Sequence, residues 1–263
     1  MIVAHGLNPA LNNIDPYWGS IWAATEAVSN YVAVGGNYKE ASLINNYIWP
    51  FPDEESLWSL DKSVDAVCDF MKTLKIPVIS GKDSLSSTYR GSDGLVIKIP
   101  PVLCMSVFGK IPDVRKTVSA DFKTVGSTVV LVGKQDLINE VPRVDLKLLP
   151  KVLDKIHRAI ISGKVLSCHD VSEGGLITSI FEMCLGGGMG AKIQNYFLFN
   201  ETPGCFIVEV ENETTAKKLF NNIPYQILGQ TQQEKNIKVE KLFEVPVNQL
   251  AKAWKKPMEE IFS

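Results

Sequence analysis

Long apolar runs, clustered cysteines and a charge excess of either sign are all missing from this chain of 263 residues. No run approaches the ~20 residues that a membrane-spanning helix needs. The opening Met1-Ile2-Val3-Ala4-His5 lacks the basic-then-apolar order of a signal peptide. Both absences lead us to expect a soluble, cytoplasmic protein. The five cysteines, Cys68, Cys104, Cys168, Cys184 and Cys205, are scattered through apolar surroundings with no Cys-x-x-Cys pair. That excludes the usual zinc and dithiol spacings and leads us to expect buried thiols in a reducing compartment. With 27 Lys and Arg against 29 Asp and Glu, the net charge of -2 gives no broad attraction to nucleic acid or an acidic membrane. Low-complexity tracts and the Gly-x-x-x-x-Gly-Lys phosphate loop are also absent. What is present is 45% hydrophobic residues, enough for a large core in two modest domains, 1–118 and 119–263.

The string VLSCHDVSEGGL at 165–176 organises the reading. A short buried strand ends at His169 and Asp170, and Ser172 opens an apolar helix running to about Cys184. One reading is an anion site, with glycines admitting a ligand, unpaired first-turn N–H groups and Asp170 holding a cation. The other is an N-cap at Ser172 and a glycine pair that eases packing. Upstream, a helix after Asp15-Pro16 carries Glu26 and Asn30 four residues apart on one face. They offer oxygens to a hard cation such as Mg²⁺, or simply form a solvated polar face. In IPVISGKDSL at 76–85 a buried strand runs into a loop. There Gly81 permits close backbone approach, Lys82 neutralises phosphate charge, and Ser84 donates to phosphate oxygens; alternatively the loop is an ordinary surface turn.

The remaining pattern alternates strands and helices. Residues 5–10 read as turn-like, and residues 53–75 as an amphipathic helix burying Leu57, Leu60, Val64, Val67, Cys68, Met71 and Leu74. Strands are expected at 41–49, 95–99, 102–108, 125–133 and 205–210, and a helix at 146–161 on which His157 is structural. IPDVRK at 111–116 reads as the hinge.

Several strings together resemble a known family: DPY at 15–17, EAVSN at 26–30, VAVGG at 32–36, ISGKDSL at 79–85, IPDVRK, SCHDVSEGGL at 167–176, FNETPGCFIVEV at 199–210 and WKKPMEEIF at 254–262. In this order they resemble phosphoribosylformylglycinamidine synthase, of the aminoimidazole ribonucleotide synthetase superfamily. The resemblance implies an α/β (α+β) fold: a ferredoxin-like N-terminal domain, here lacking its opening strands, followed by a layered α/β C-terminal domain. It implies the second of two such units, with the family's catalytic histidine in the other unit and none here. It places Mg²⁺ on Glu26, Asn30 and Asp170, ATP or ADP on Gly81, Lys82 and Ser172, and substrate on Ser84. Lys82 departs from the asparagine ligand found in some branches. The implied partners are the upstream synthetase half and a glutaminase supplying ammonia, within an oligomer. The rival implication is a non-catalytic half holding a structural Mg·ADP.

Overall fold

Residues 5–10 are not turn-like in the computed structural model, which describes residues 1–262. Strand β1 (Ile2–Gly6) turns Ile2 and Ala4 inward and Val3 and His5 outward. Asn8 then caps a short helix, α1 (Pro9–Ile14), by accepting the Leu11 N–H at 3.0 Å. Five residues are too few for alternation to stand out in sequence, and the strand exists because a distant one supplies its ladder.

Helix α2 (Pro16–Ala33) has a complete start. The Asp15 carboxylate accepts the Tyr17 and Trp18 N–H groups at 3.1 and 3.0 Å, and Pro16 takes the first helical position. Then come β2 (Ala41–Ile48), α3 (Glu54–Leu74), β3 (Val78–Ser84), a small hairpin of β4 (Thr88–Arg90) and β5 (Val96–Lys98), and β6 (Val102–Gly109). The first sheet has the order β1-β6-β2-β3, with only the β2–β3 pair parallel. On one face, Leu43, Tyr47, Leu103, Met105 and Val107 are buried in the core with α2 and α3. The opposite face carries Ile44, Ile48, Val102 and Phe108, and Val3 is 64% exposed there.

α3 contradicts its expected orientation. Ser56, Ser59, Ser63, Ala66, Val67, Phe70 and Leu74 face inward, whereas Leu57, Val64 and Cys68 are exposed. Small residues win the inner face because α2 lies very close: Ser20 Oγ and Ser63 Oγ are 2.6 Å apart. Cys68 therefore escapes the expected burial and Cys104 is only half-buried, while Cys168, Cys184 and Cys205 are buried.

The second half contains β7 (Thr128–Val132), α4 (Leu149–Ile161), β8 (Val165–Asp170), α5 (Gly175–Gly187), β9 (Gly190–Ile193), β10 (Phe206–Val210), α6 (Glu213–Phe220), β11 (Tyr225–Gln232), β12 (Asn236–Val239), β13 (Phe243–Pro246) and α7 (Val247–Phe262). Its sheet has the order β13-β12-β9-β11-β7-β10-β8. The architecture is mixed α/β, as expected. β7 and β10 are buried along their whole length, which matches the apolar run Val129–Val132 and, in β10, Phe206–Val208 and Val210 on either side of Glu209. His157 has the structural place expected of it, with Nδ1 3.0 Å from the Gly35 carbonyl oxygen.

Within β10 sits a fully buried carboxylate, Glu209. It accepts the Lys123 and Thr124 N–H groups, both at 2.9 Å, and the hydroxyls of Ser127 and Ser167 at 2.6 and 2.8 Å. These bonds clamp the loop entering β7 and the adjacent strand β8 onto β10. Removing the carboxylate strands two buried hydroxyls, Ser127 and Ser167, at a cost of about 1–3 kcal/mol each where water does not replace it, and frees two partly buried N–H groups that water can reach more readily. Glu209→Ala is expected to destabilise the protein by about 3–5 kcal/mol in urea unfolding, and Glu209→Gln by less. A cost below about 1 kcal/mol for the alanine variant would refute the clamp.

Candidate functional site

β8 delivers Asp170 to the end of the sheet, and the chain turns into α5 through Gly174 and Gly175, at φ 79° and 72°. A Cβ on Gly175 would lie 2.6 Å from the Phe199 carbonyl carbon, so backbone conformation and space both demand glycine. α5 accordingly begins at Gly175 rather than at Ser172, and runs past Cys184 to Gly187. No side chain caps it; the Ser172 carbonyl accepts the Gly175 N–H at 3.0 Å. The Gly174 N–H, a donor of the kind expected to meet an anion, is taken by the Glu201 carboxylate at 2.7 Å.

Asp170 is 2% exposed. Its Oδ1 lies 3.3 Å from His169 Nδ1, and its Oδ2 is buried without any hydrogen-bond partner. His169 Nε2 lies 3.1 Å from Glu182 Oε2. Burial pulls the His169 imidazole down, but hydrogen bonds to Asp170 and Glu182 outweigh it and raise its pKa to about 10.

α2 presents Glu26 beside this strand end. Burial lifts the Glu26 carboxyl to about 8; a 2.9 Å hydrogen bond from the Leu7 N–H opposes the rise, and the charges of Asp170 and Glu173 add to it. Asn30, one turn on, donates weakly to the His5 carbonyl at 3.4 Å. Glu26, Asn30 and Glu173 line a cavity of about 790 Å³ that β1 and the Leu7–Pro9 turn close on the other side. Glu173 was not foreseen as a cavity residue. The available signal was its place in the glycine turn, three residues past Asp170.

Glu26 and Asn30 thus line one cavity, Asp170 lies close enough for its charge to act on Glu26 although it does not line that cavity, and Ser172 follows Asp170 in the turn. Gly81, Lys82 and Ser84 are elsewhere, on β3 at the opposite edge of the first sheet from β1. Contrary to expectation, 81–84 is strand rather than loop, and β3 is exposed rather than buried, because it is an edge strand paired only with β2. A Cβ on Gly81 would meet Asn45 Oδ1 at 2.1 Å, and Lys82 Nζ donates to Ser84 Oγ at 2.7 Å. Lys82 and Ser84 stand opposite Asn46 and Ile48 on the uncovered face.

The donors at the cavity suit a hard cation. All are oxygens, one carboxylate oxygen nearby is buried and unpaired, and the Glu26 carboxyl is raised to about 8 mainly by burial, with the acidic neighbours Asp170 and Glu173 adding to the rise. Among the described residues no three His, Cys, Asp or Glu side chains form a self-sufficient metal site. A cation here would complete its shell with water or phosphate oxygens, as Mg²⁺ commonly does.

Comparison with known proteins supplies the family. Residues 123–241 match the AIR synthase related protein, C-terminal domain. The chain carries an AIR synthase related domain. Across 97% of its length it is 28% identical to the phosphoribosylformylglycinamidine synthase subunit PurL of Deinococcus radiodurans, of which it covers 39%. The chain thus spans well under half of the curated relatives it matches. In structure it resembles PurLQS from Thermotoga maritima, with a TM-score of 0.78, 15% identity and coverage of 95% of this chain and 44% of that one. T. maritima PurL complexed with AMPPCP or with FGAR superposes at TM-scores of 0.73 and 0.75, with 16% and 14% identity and the same 95% of this chain covered. E. coli HypE, a hydrogenase maturation protein, has the fold too, at a TM-score of 0.68 and 16% identity, with 92% of this chain and 83% of that one covered. The family resemblance read from the motifs is borne out, and among the described residues no helix is long and apolar enough to cross a membrane.

The raised Glu26 pKa has a signed consequence. Unfolded, the carboxyl ionises near 4.5; folded, only near 8. Stability present below about pH 4.5 is therefore lost as the pH rises through 8. Without added metal, the urea midpoint is expected to fall between pH 5 and pH 8, and Glu26→Gln to flatten that fall; superimposable slopes would contradict the assignment.

Proposed function

We propose that this chain is the nucleotide-holding half of a phosphoribosylformylglycinamidine synthase, an ATP-dependent ligase of purine synthesis. The observation that carries the reading is the Glu26 carboxyl, raised by burial on the wall of the 790 Å³ cavity, with the unpartnered, buried Asp170 Oδ2 near enough for its charge to raise it further. Glu26, Asn30 and Asp170 hold Mg²⁺, and bound Mg²⁺ spreads the charge of ATP or ADP phosphates. Ser172 lies where it can donate to that nucleotide. The Thermotoga structures with AMPPCP and FGAR support a nucleotide and a ribonucleotide as the ligands of this fold.

In the reaction, the γ-phosphoryl group of ATP passes to the glycinamide carbonyl oxygen of formylglycinamide ribonucleotide, releasing ADP and giving an imidoyl phosphate; glutamine-derived ammonia then adds at that carbon and phosphate leaves, forming the amidine C–N bond. No residue of this chain is assigned a catalytic role. Residues 1–118 and 119–263 act as the two domains of the unit. The uncovered sheet face, with Val3, Ile44, Ile48, Val102 and Phe108, is the surface that an upstream synthetase half covers. Lys82 and Ser84 lie on that face and reach substrate across it, and Gly81 lies beside them at a nucleotide contact. A glutaminase subunit or domain supplies the ammonia, in a cytoplasmic assembly.

Calorimetric titration of Mg·ADP into chain stripped of nucleotide tests the ligand set. Asp170→Ala is expected to weaken binding by about tenfold or more, and Lys82→Ala by much less. Equal losses would sink the assignment. Nucleotide retained through purification without exchange would instead make the site structural.

A further inference from the structure

α4 and α6 lie side by side, and a cavity of about 360 Å³ opens between them. It shares no lining residue with the cavity at Glu26. Its walls carry Lys151, Lys155 and Arg158 from α4 and Lys218 from α6. The spacing i, i+4, i+7 sets the three α4 cations on one helix face, over roughly 10 Å of its length. The one carboxylate at the rim, Asp154, is engaged by Lys39 Nζ at 2.6 Å. Among the described residues none of the four cations has a carboxylate within 4.0 Å.

Four unpaired cations around one concavity repel one another, and they do so in a chain whose net charge is -2. Helix ends account for only half of them. Arg158 and Lys218 lie in the last turns of α4 and α6, where carbonyls favour cations. Lys151 and Lys155 lie in the first two turns of α4, where the helix field opposes them. Lys155 is also only partly exposed. The floor is Ala159, Leu219 and Ile223, with Ser162 and Asn222 as polar neighbours. A volume of about 360 Å³ falls in the range of small-molecule sites.

We propose that this cavity is a second anion site, for a small ligand bearing two or more linked phosphates, held by Lys151, Lys155, Arg158 and Lys218. Ammonium and guanidinium groups converging without counter-charge are what such a group requires. The patch is local and concave in a chain that is acidic overall, which suits a compact polyanion better than a nucleic acid.

The test is calorimetric titration of inorganic pyrophosphate in EDTA at low salt, where the metal-dependent site proposed above is silent; failure here leaves that proposal untouched, and the converse holds. Pyrophosphate is expected to bind, and Lys155→Gln and Arg158→Gln are each expected to weaken binding by about tenfold. Lys192→Gln, on β9 and outside the cavity, should change nothing. Lys151→Gln, at an exposed position, gives the same reading if Lys155→Gln does not fold, as judged by thermal unfolding. ADP binding more tightly than pyrophosphate in EDTA would identify the ligand as a nucleotide; equal or weaker ADP binding would identify an inorganic polyphosphate. No pyrophosphate binding at low salt, or an equal loss in Lys192→Gln, would overturn the proposal.

Discussion

Everything in this fold depends on burying α2. Fourteen of its 18 residues are inside, and a single core cluster runs from β2, β6 and α3 through α2 to β7, α4, β8 and α6. A helix apolar nearly all round has no choice but to be an interior element. Its contacts also reach across the molecule: Trp22 Nε1 donates to the Glu201 carbonyl at 2.8 Å, and Ser20 meets Ser63 of α3. The charged and amide groups α2 retains, Glu26 and Asn30, emerge on the cavity wall. Their position is therefore set by the whole core and not by a local loop, which is how a site is held rigid enough to select a ligand.

The elements legible in the sequence were those with an unbroken signal. β7 and β10 are nearly continuous apolar runs, α4 has a clean stripe, and Asp15-Pro16 starts α2 with a recognisable cap. The site was legible only in pieces. By spacing alone Glu26 and Asn30 looked like any solvated pair, because residues so far from Asp170 in sequence share no local pattern with it; only the family resemblance joined the three. α3 was misread for a different reason. Hydrophobic periodicity assumes that the largest apolar side chains go inside, but the close approach of α2 favours Ser56, Ser59, Ser63 and Ala66 along the first turns of the inner face, with Val67, Phe70 and Leu74 following, and Leu57, Val64 and Cys68 turn outward. β11 mixes polar and apolar residues without a clear period because most of it is half-buried, whereas β12 and β13 alternate but at four residues each are too short for the period to stand out.

The uncovered face of the first sheet has a second meaning. A sheet of four strands with α2 and α3 on one side leaves half its side chains without an apolar partner, and here those include Ile44, Ile48, Val102 and Phe108. Ile79 on the edge strand is 57% exposed. Ile44, Ile48, Val102 and Phe108 are half-buried, and a sheet face of this kind is where the proposed upstream half would pack. Lys82 and Ser84 share that face, so whatever covers the sheet also encloses them.

Buried acids in this chain are satisfied to very different degrees. Glu209 is fully buried and accepts four short hydrogen bonds, two from backbone and two from hydroxyls, so its charge is answered where it stands. Glu26 is answered by one backbone donor, and Asp170 Oδ2 by none. Leaving a buried acid oxygen unpaired costs stability that folding alone has no reason to give up. The same chain supplies Glu209 with every donor it needs, so its core can answer a buried acid in full. Among the described residues the other buried side-chain atoms without a partner are amide or hydroxyl atoms, of Asn12, Ser29, Tyr31, Asn46 and Gln135; Asp170 Oδ2 is the carboxylate oxygen among them, and a bound cation, as proposed, would pair it.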